Sequence, residues 1–353
     1  MSMLAEQVDG VIGVDTHRDT LAAAAVSALG AVLAHAEAAT DAHGYLQLLE
    51  FARKHVPGRR CWALEGTGSY GAGLAAFLQA CGEKVVEVCR PKRPVQRGGR
   101  KTDALDAVRA AREALTSEHL IQPRRREERE ALRVLLTTRQ GAVSATTAAI
   151  NHLKALVVSA PDDLRNEIRS MGSKAQISYC AKLRDRPCQT LEHRMTVRAL
   201  RSTAHRIQTL RAEAKELEEQ ITALVNEFKP ELMQQVGVGA ISAAQILVSW
   251  SHPGRFRSEA AFATFAGTAP IPASSGLTDR HRLNRSGDRQ LNRALHTIIL
   301  VRARVDPDTR AYIARRISEG KSPREARRCL KRALSRQLFK LLERTPESLQ
   351  AAA

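Results

Sequence analysis

Val11-Ile12-Gly13-Val14-Asp15, a short apolar run closed by a carboxylate, decides how the first third of this chain reads. The pattern returns in Cys61-Trp62-Ala63-Leu64-Glu65. Apolar runs of this length, bounded by turn residues, read as buried strands. Between them, the Ala/Val-rich stretch at 21–34, broken at Leu29-Gly30, predicts one or two further strands. A helix fits 42–55 and stops before Pro57-Gly58. After Glu65 come a glycine loop at 66–71, a helix over 72–81 and a strand over 84–89. A basic loop with Pro91, Pro94 and Gly98-Gly99 then leads to a helix over 102–116. Strands alternating with helices make residues 8–120 an α/β domain.

Four carboxylates occupy telling positions. Asp15 and Glu65 end their strands, and Asp103 and Asp106 stand three apart at the start of the last helix. An i, i+3 pair shares a helix face, and like charges there repel unless a cation bridges them. Carboxylates from two strand ends and one helix face suit two Mg2+ ions. At a spacing of roughly 3.5–4 Å such ions clamp the attacking and leaving oxygens of a phosphodiester. Asp15, Glu65, Asp103 and Asp106 are therefore the candidate metal ligands and catalytic groups. Strand-end carboxylates with such a helical pair are the architecture of RNase H-like nucleases.

Two nucleotide-binding readings compete. Gly66-Thr67-Gly68-Ser69-Tyr70-Gly71 fits G-x-G-x-x-G, and Glu87 lies at a later strand end, as a dinucleotide fold requires. Glu65, immediately before the loop, would oppose a pyrophosphate. The loop reads better as the tight turn that carries Glu65 to the sheet edge. Gly13-Val14-Asp15-Thr16 also resembles one phosphate loop of an actin-like ATPase, with no second loop evident.

Charge points to the partner. The 353 residues carry 55 Lys+Arg against 37 Asp+Glu, a formal net charge of +18. Such a surplus says little about fold and much about association with a polyanion. Arg100, Lys101 and the run Arg124-Arg125-Arg126 suit phosphate contact. Aromatics at 4% argue against recognition by stacked bases. No stretch approaches the roughly 20 apolar residues of a membrane span, and the start lacks a signal-peptide pattern. Cysteines at 61, 81, 89, 180, 188 and 329 form no C-x-x-C and read as reduced thiols of a cytoplasmic protein.

Residues 124–228 predict helices. One runs from Arg126 to about Ser159, and 160–190 interrupts. Another runs from Leu191 to Phe228, with Leu200, Ile207, Leu210, Leu217, Ile221 and Leu224 near heptad spacing. An antiparallel hairpin, a plain bundle or a coiled-coil dimer contact would each use that stripe. Residues 230–345 open like a helix-hairpin-helix, an apolar helix followed by Val236-Gly237-Val238-Gly239. Gly237 and Gly239 would let the backbone approach a phosphate. A loop at 267–287 holds Ser274-Ser275-Gly276, trailed by Arg280, Arg282, Arg285 and Arg289. A serine hydroxyl is a weak nucleophile until a base or metal activates it, and guanidinium groups grip phosphate. Helices over 288–304, 307–319 and 323–343 complete this part, with a frayed tail at 345–353.

Val-Asp-Thr-His-Arg-Asp at 14–19, Leu-Glu-Gly-Thr-Gly-Ser-Tyr at 64–70 and Lys-Thr-Asp-Ala-Leu-Asp-Ala at 101–107 resemble the DEDD motifs of IS110 insertion-sequence transposases. Val-Gly-Val-Gly at 236–239, Ser-Ser-Gly at 274–276 and Asn-Arg-Ser-Gly-Asp-Arg-Gln-Leu-Asn-Arg at 284–293 resemble their second signature. The resemblance covers nearly the whole chain, in order. It implies an α/β plus all-α architecture: a RuvC-like, RNase H-fold metal domain (8–120), a helical coiled-coil dimerisation region (124–228) and a transposase domain (230–345). By motif the catalytic serine is Ser275, with Ser274 its rival. The resemblance further implies a bacterial, cytoplasmic, nucleoid-associated recombinase acting on donor and target DNA. A structured non-coding bridge RNA would guide it, and it would work as a dimer or tetramer. Metal on the four carboxylates would activate the serine, giving a phosphoserine-linked DNA intermediate. Two other readings remain: a Holliday-junction-resolvase-like nuclease that activates water, and a non-catalytic nucleic-acid-binding protein.

Overall fold

The computed structural model describes residues 3–88, 102–117, 120–124, 126–184, 190–273 and 281–344. The chain divides into two compact units, residues 1–126 with 254–256, and residues 127–253 with 257–353.

The first unit runs α1 (Leu4–Gln7), β1 (Gly10–Thr16), β2 (Thr20–Ser27), β3 (Val32–Ala39), α2 (Ala42–His55), β4 (Arg60–Glu65), α3 (Ala72–Ala80), β5 (Val85–Val88) and α4 (Asp103–Thr116). Its sheet has the order β3-β2-β1-β4-β5. β1, β2 and β3 form an antiparallel meander, while β4 runs parallel to β1 and β5 parallel to β4. The Ala/Val stretch is thus two strands, turned at Gly30 with φ +85°. An antiparallel first half excludes the dinucleotide fold, whose sheet is built of parallel βαβ units, and fits the RNase H-like arrangement. Strand alternation divides the core in two. Ile12, Val14, Trp62 and Leu64 face a layer with Leu48, Leu49, Leu74 and Leu78 from α2 and α3. Val11, Cys61 and Ala63 face α4 through Ala107, Val108, Ala111 and Leu115.

The second unit comprises α5 (Glu127–Val158), α6 (Asp162–Ile168), α7 (Ser173–Lys182), α8 (Leu191–Phe228), a 3-10 turn (Pro230–Leu232), α9 (Ala240–Trp250), α10 (Glu259–Phe265), β6 (Ile271–Pro272), β7 (His281–Arg282), α11 (Arg289–Val305), α12 (Pro307–Ser318) and α13 (Pro323–Leu342). α5 and α8 lie antiparallel. Arg139 pairs with Glu218 at 2.7 Å, and Ala149, Leu153 and Val157 pack with Val197, Leu200, Ala204 and Ile207. Leu200, Ile207 and Ile221 of the heptad stripe are buried, whereas Leu210, Leu217 and Leu224 are half-buried along its edge. The interruption at 160–190 contains α6 and α7, whose Ile168, Ile177 and Cys180 join the same core.

One expectation is corrected. The segment before Gly237 is a 3-10 turn rather than the apolar helix of a helix-hairpin-helix. Pro230 cannot donate into a continuing α8. Among the described residues, no helix is long and apolar enough to cross a membrane.

Candidate metal site and nucleic-acid interface

Asp15 follows Val14, and Glu65 follows Leu64, on strands where Val14 pairs with Leu64. Alternation puts both carboxylates on the sheet face that α4 covers. That cover is close. A Cβ on Gly13 would fall 2.0 Å from the Ala107 carbonyl oxygen, so only glycine fits there. α4 starts at Asp103, beside the carboxyl end of β1.

The arrangement brings Asp15, His17 and Asp103 together, with one ligand atom of each within 4.8 Å of the others. His17 Nε2 lies 3.3 Å from Asp15 Oδ2 and 3.4 Å from Asp103 Oδ2. That nitrogen is buried and finds no aligned hydrogen-bond partner, and Asp15 is only 9% exposed. Two carboxylates and an imidazole nitrogen facing one point are a donor set that fits a divalent cation. Asp106 stands apart from this cluster, its Oδ1 accepting from Arg109 Nη1 at 2.7 Å. Glu65 stands on the neighbouring strand end, also outside it. His17 was not among the expected ligands. The available signal was its i+2 spacing from Asp15, which repeats the face of an extended chain.

The glycine loop is a turn. Ser69 N and Gly71 N both donate to Gly66 O, at 2.8 and 3.2 Å, and Gly66 has φ +69°. Thr16 Oγ1 donates to Glu65 O at 3.0 Å, tying the two strand ends together. The arginine run partly serves this unit. Arg126 Nη1 donates to Ala72 O at 3.3 Å, and Arg124 lies against Gly68. Arg100, Lys101 and Arg125 lie outside the described residues.

In the second unit, the run 284–293 is a clamp. Asn284 Oδ1 accepts from Ser286 N at 2.9 Å. Gly287 has φ +92°, and a Cβ there would meet Phe265 O at 2.3 Å. Asp288 caps α11 by accepting from Gln290 N and Leu291 N, and it also accepts from Ser249 Oγ at 2.8 Å. Asn292 Nδ2 donates to Ala266 O at 2.7 Å. The clamp holds the turn after α10 against the start of α11. β6 and β7 pair between them, Ile271 with Arg282 and Pro272 with His281. Ser274, Ser275 and Arg280 lie outside the described residues. Arg282, Arg285 and Arg289 are exposed. Gly237 is occupied by packing, because a Cβ would meet Arg302 Cγ at 3.0 Å and Ile298 O at 3.1 Å. Gly239 is open, at the N-terminus of α9.

The two regions match two family models. Residues 12–160 match the DEDD transposase of IS110 type. Residues 229–314 match the transposase IS116/IS110/IS902 family. Two separate segments of the chain are thus similar to insertion-sequence transposases. The chain is 27% identical over 335 residues to the insertion element IS900 uncharacterized 42 kDa protein of Mycobacterium paratuberculosis, covering 81% of this chain and 83% of that protein. It is 32% identical over 162 residues to the insertion element IS110 uncharacterized 43.6 kDa protein of Streptomyces coelicolor. That second match spans 43% of this chain and 40% of the relative. The first matched segment contains Asp15, His17, Glu65, Asp103 and Asp106, and the second contains the clamp.

Proposed function

We propose that this chain is a transposase that cuts and rejoins DNA of its insertion sequence by transesterification, with Ser275 as nucleophile and Ser274 as its rival. The observation that carries the reading is the convergence of Asp15, His17 and Asp103 at the strand ends of an RNase H-like sheet. Glu65 and Asp106 are the remaining ligands by motif, and Asp106 would exchange its Arg109 partner for the ion. Bound divalent metal, Mg2+ in the first instance, supplies Lewis-acid stabilisation of phosphoryl oxygens. The chain's own residues do the rest. The Ser275 hydroxyl forms a P–O bond as the bond from phosphorus to a deoxyribose oxygen breaks. The hydroxyl proton leaves to a base, and the leaving oxygen takes up a proton. Strand exchange reverses the step with a different DNA hydroxyl. Energy held in the protein–DNA phosphodiester makes rejoining possible, which hydrolysis by water would not.

The partners in this reading are donor and target DNA, a structured guide RNA and further copies of the chain. The formal charge of +18 supports polyanion binding. Asp15→Asn is expected to lower strand cleavage by at least about 100-fold, since metal stabilisation of the transition state is worth several kcal/mol. DNA binding, followed by gel shift, should persist. Cleavage by Asp15→Asn at the wild-type rate would refute the metal assignment. Purification of the chain without any bound structured RNA, with DNA cleavage intact, would refute the guide.

A further inference from the structure

A cavity of about 680 Å³ opens in the second unit between the β6–β7 pair and α12–α13. This is the size range of small-ligand sites. Its wall is strongly cationic: Arg282, Arg316, Lys321, Arg328, Lys331 and Arg332 line it, with Glu325 as the carboxylate among them. Three of these cations are already neutralised. Arg332 pairs with Glu259 at 2.6 Å, Arg316 with Glu319 at 2.6 Å and Arg328 with Glu325 at 3.5 Å. Arg282, Lys321 and Lys331 have no carboxylate within ion-pair distance among the described residues.

Lys331 is the informative one. It is half-buried on α13, and its Nζ donates to Asn292 Oδ1 at 2.9 Å. Asn292 is fixed from behind, because its Nδ2 donates to Ala266 O and Gly267 O. The ammonium therefore faces a neutral amide held in place by the clamp, with two N–H bonds left to direct. Burial, then the nearby Arg328, hold its pKa below the usual lysine range. A half-buried cation beside other cations, with a neutral partner, is costly unless an anion joins it. Glu325 is not that anion. Its Oε2 accepts from Ser322 N at 2.9 Å and from Ser322 Oγ at 2.7 Å in a capping box.

We propose that this cavity binds a backbone phosphate of DNA, with Lys331 at its floor and Arg282 and Lys321 at its rim. The choice of DNA as ligand rests on the recombinase reading; the anion site does not. All three donors line this one cavity, and the β6–β7 pair at its edge is joined along the chain to the segment 274–280. Holding a phosphate there makes these three residues positioning groups rather than catalytic ones.

Cys329 lines the same cavity and is partly exposed, which gives a local reporter in the unaltered full chain. Alkylation of Cys329 by iodoacetamide, followed by peptide mass spectrometry, should slow when a short DNA duplex is added to saturation. Inorganic pyrophosphate should slow it too, whereas chloride at equal ionic strength should not. In parallel, the Arg282→Ala/Lys321→Ala double variant should bind the same labelled duplex more weakly. Its slope of log affinity against log salt should shrink by about 0.9, the value for one neutralised phosphate. Neither side chain makes an ion pair within the described fold, and an unchanged melting curve verifies that the variant is folded. Full-rate alkylation of Cys329 under saturating DNA, or a double variant with the wild-type slope, overturns the proposal. Protection by pyrophosphate but not by DNA overturns it as well. Each of these outcomes leaves the recombinase reading standing, since that reading fails separately, through metal-independent cleavage.

Discussion

A Cβ on Gly13 would stand 2.0 Å from the Ala107 carbonyl oxygen and 2.6 Å from the Ala111 amide nitrogen. Gly13→Ala must therefore push α4 off β1, and with it Asp103 away from Asp15. Overpacking of this kind costs about 1–3 kcal/mol. Chemical denaturation should show that loss, and a Mn2+ titration should show weaker binding. His17 makes a second prediction at this scale. An imidazole nitrogen among carboxylates suits Mn2+ or Co2+ better than an all-oxygen set does. Pulsed EPR of bound Mn2+ should reveal coupling to an imidazole nitrogen in the wild type and none in His17→Gln. A wild-type spectrum without nitrogen coupling would remove His17 from the ligand set. Asp15 and Asp103 were legible because strand ends and helix starts advertise their geometry. His17 was not, because its i+2 spacing from Asp15 is a weak signal until α4 brings Asp103 over it. Asp106 shows the reverse: its spacing marks it as a ligand, while the fold pairs it with Arg109.

Among the elements, α10 and α13 are joined by charge and by rings. Glu259 accepts from Arg332 at 2.6 and 2.9 Å, Arg336 lies 3.3 Å away, and the Phe262 and Phe339 rings are 5.6 Å apart. The Arg332 hydrogen bonds, reinforced by Arg336, outweigh burial and bring the Glu259 carboxyl down to about 2. A folded-state pKa below the unfolded value near 4.5 stabilises the fold fully above that value. The contribution is then lost as pH falls toward about 2. Solvent screens a carboxylate whose side chain is 30% exposed, so Glu259→Gln should cost about 1 kcal/mol. Thermal melts should show that deficit at pH 7 and see it close between pH 4.5 and 2, the two values just given. Capped helices were readable within a residue or two: α2 ends before Pro57, and α12 and α13 each begin with proline. α10 escaped notice because its seven residues are too few to show a period. α6 and α7 sit among Pro161, Gly172 and Pro187, which read as interruption. β6 and β7 are two residues each, and nothing local marks a pairing that short.

At the scale of the whole molecule, the RNase H-like unit carries the proposed metal ligands and the helical unit carries the clamp. The sequence made both regions visible, through the carboxylate pattern and the run 284–293. It could not show that the α8 stripe buries Leu200, Ile207 and Ile221 within the chain and leaves Leu210, Leu217 and Leu224 half-buried, because a heptad serves an intramolecular partner and a second chain equally well. The central proposal is that metal bound at Asp15, His17 and Asp103 drives attack by Ser275. The direct test incubates the full chain and its guide RNA with Mg2+ and DNA carrying the element's ends, denatures the mixture, and digests the protein. The account predicts a peptide containing Ser275 joined to DNA by a phosphodiester in the wild type, and none from Asp15→Asn or Ser275→Ala. A wild-type chain that cleaves this DNA fully yet releases only protein-free ends would contradict it.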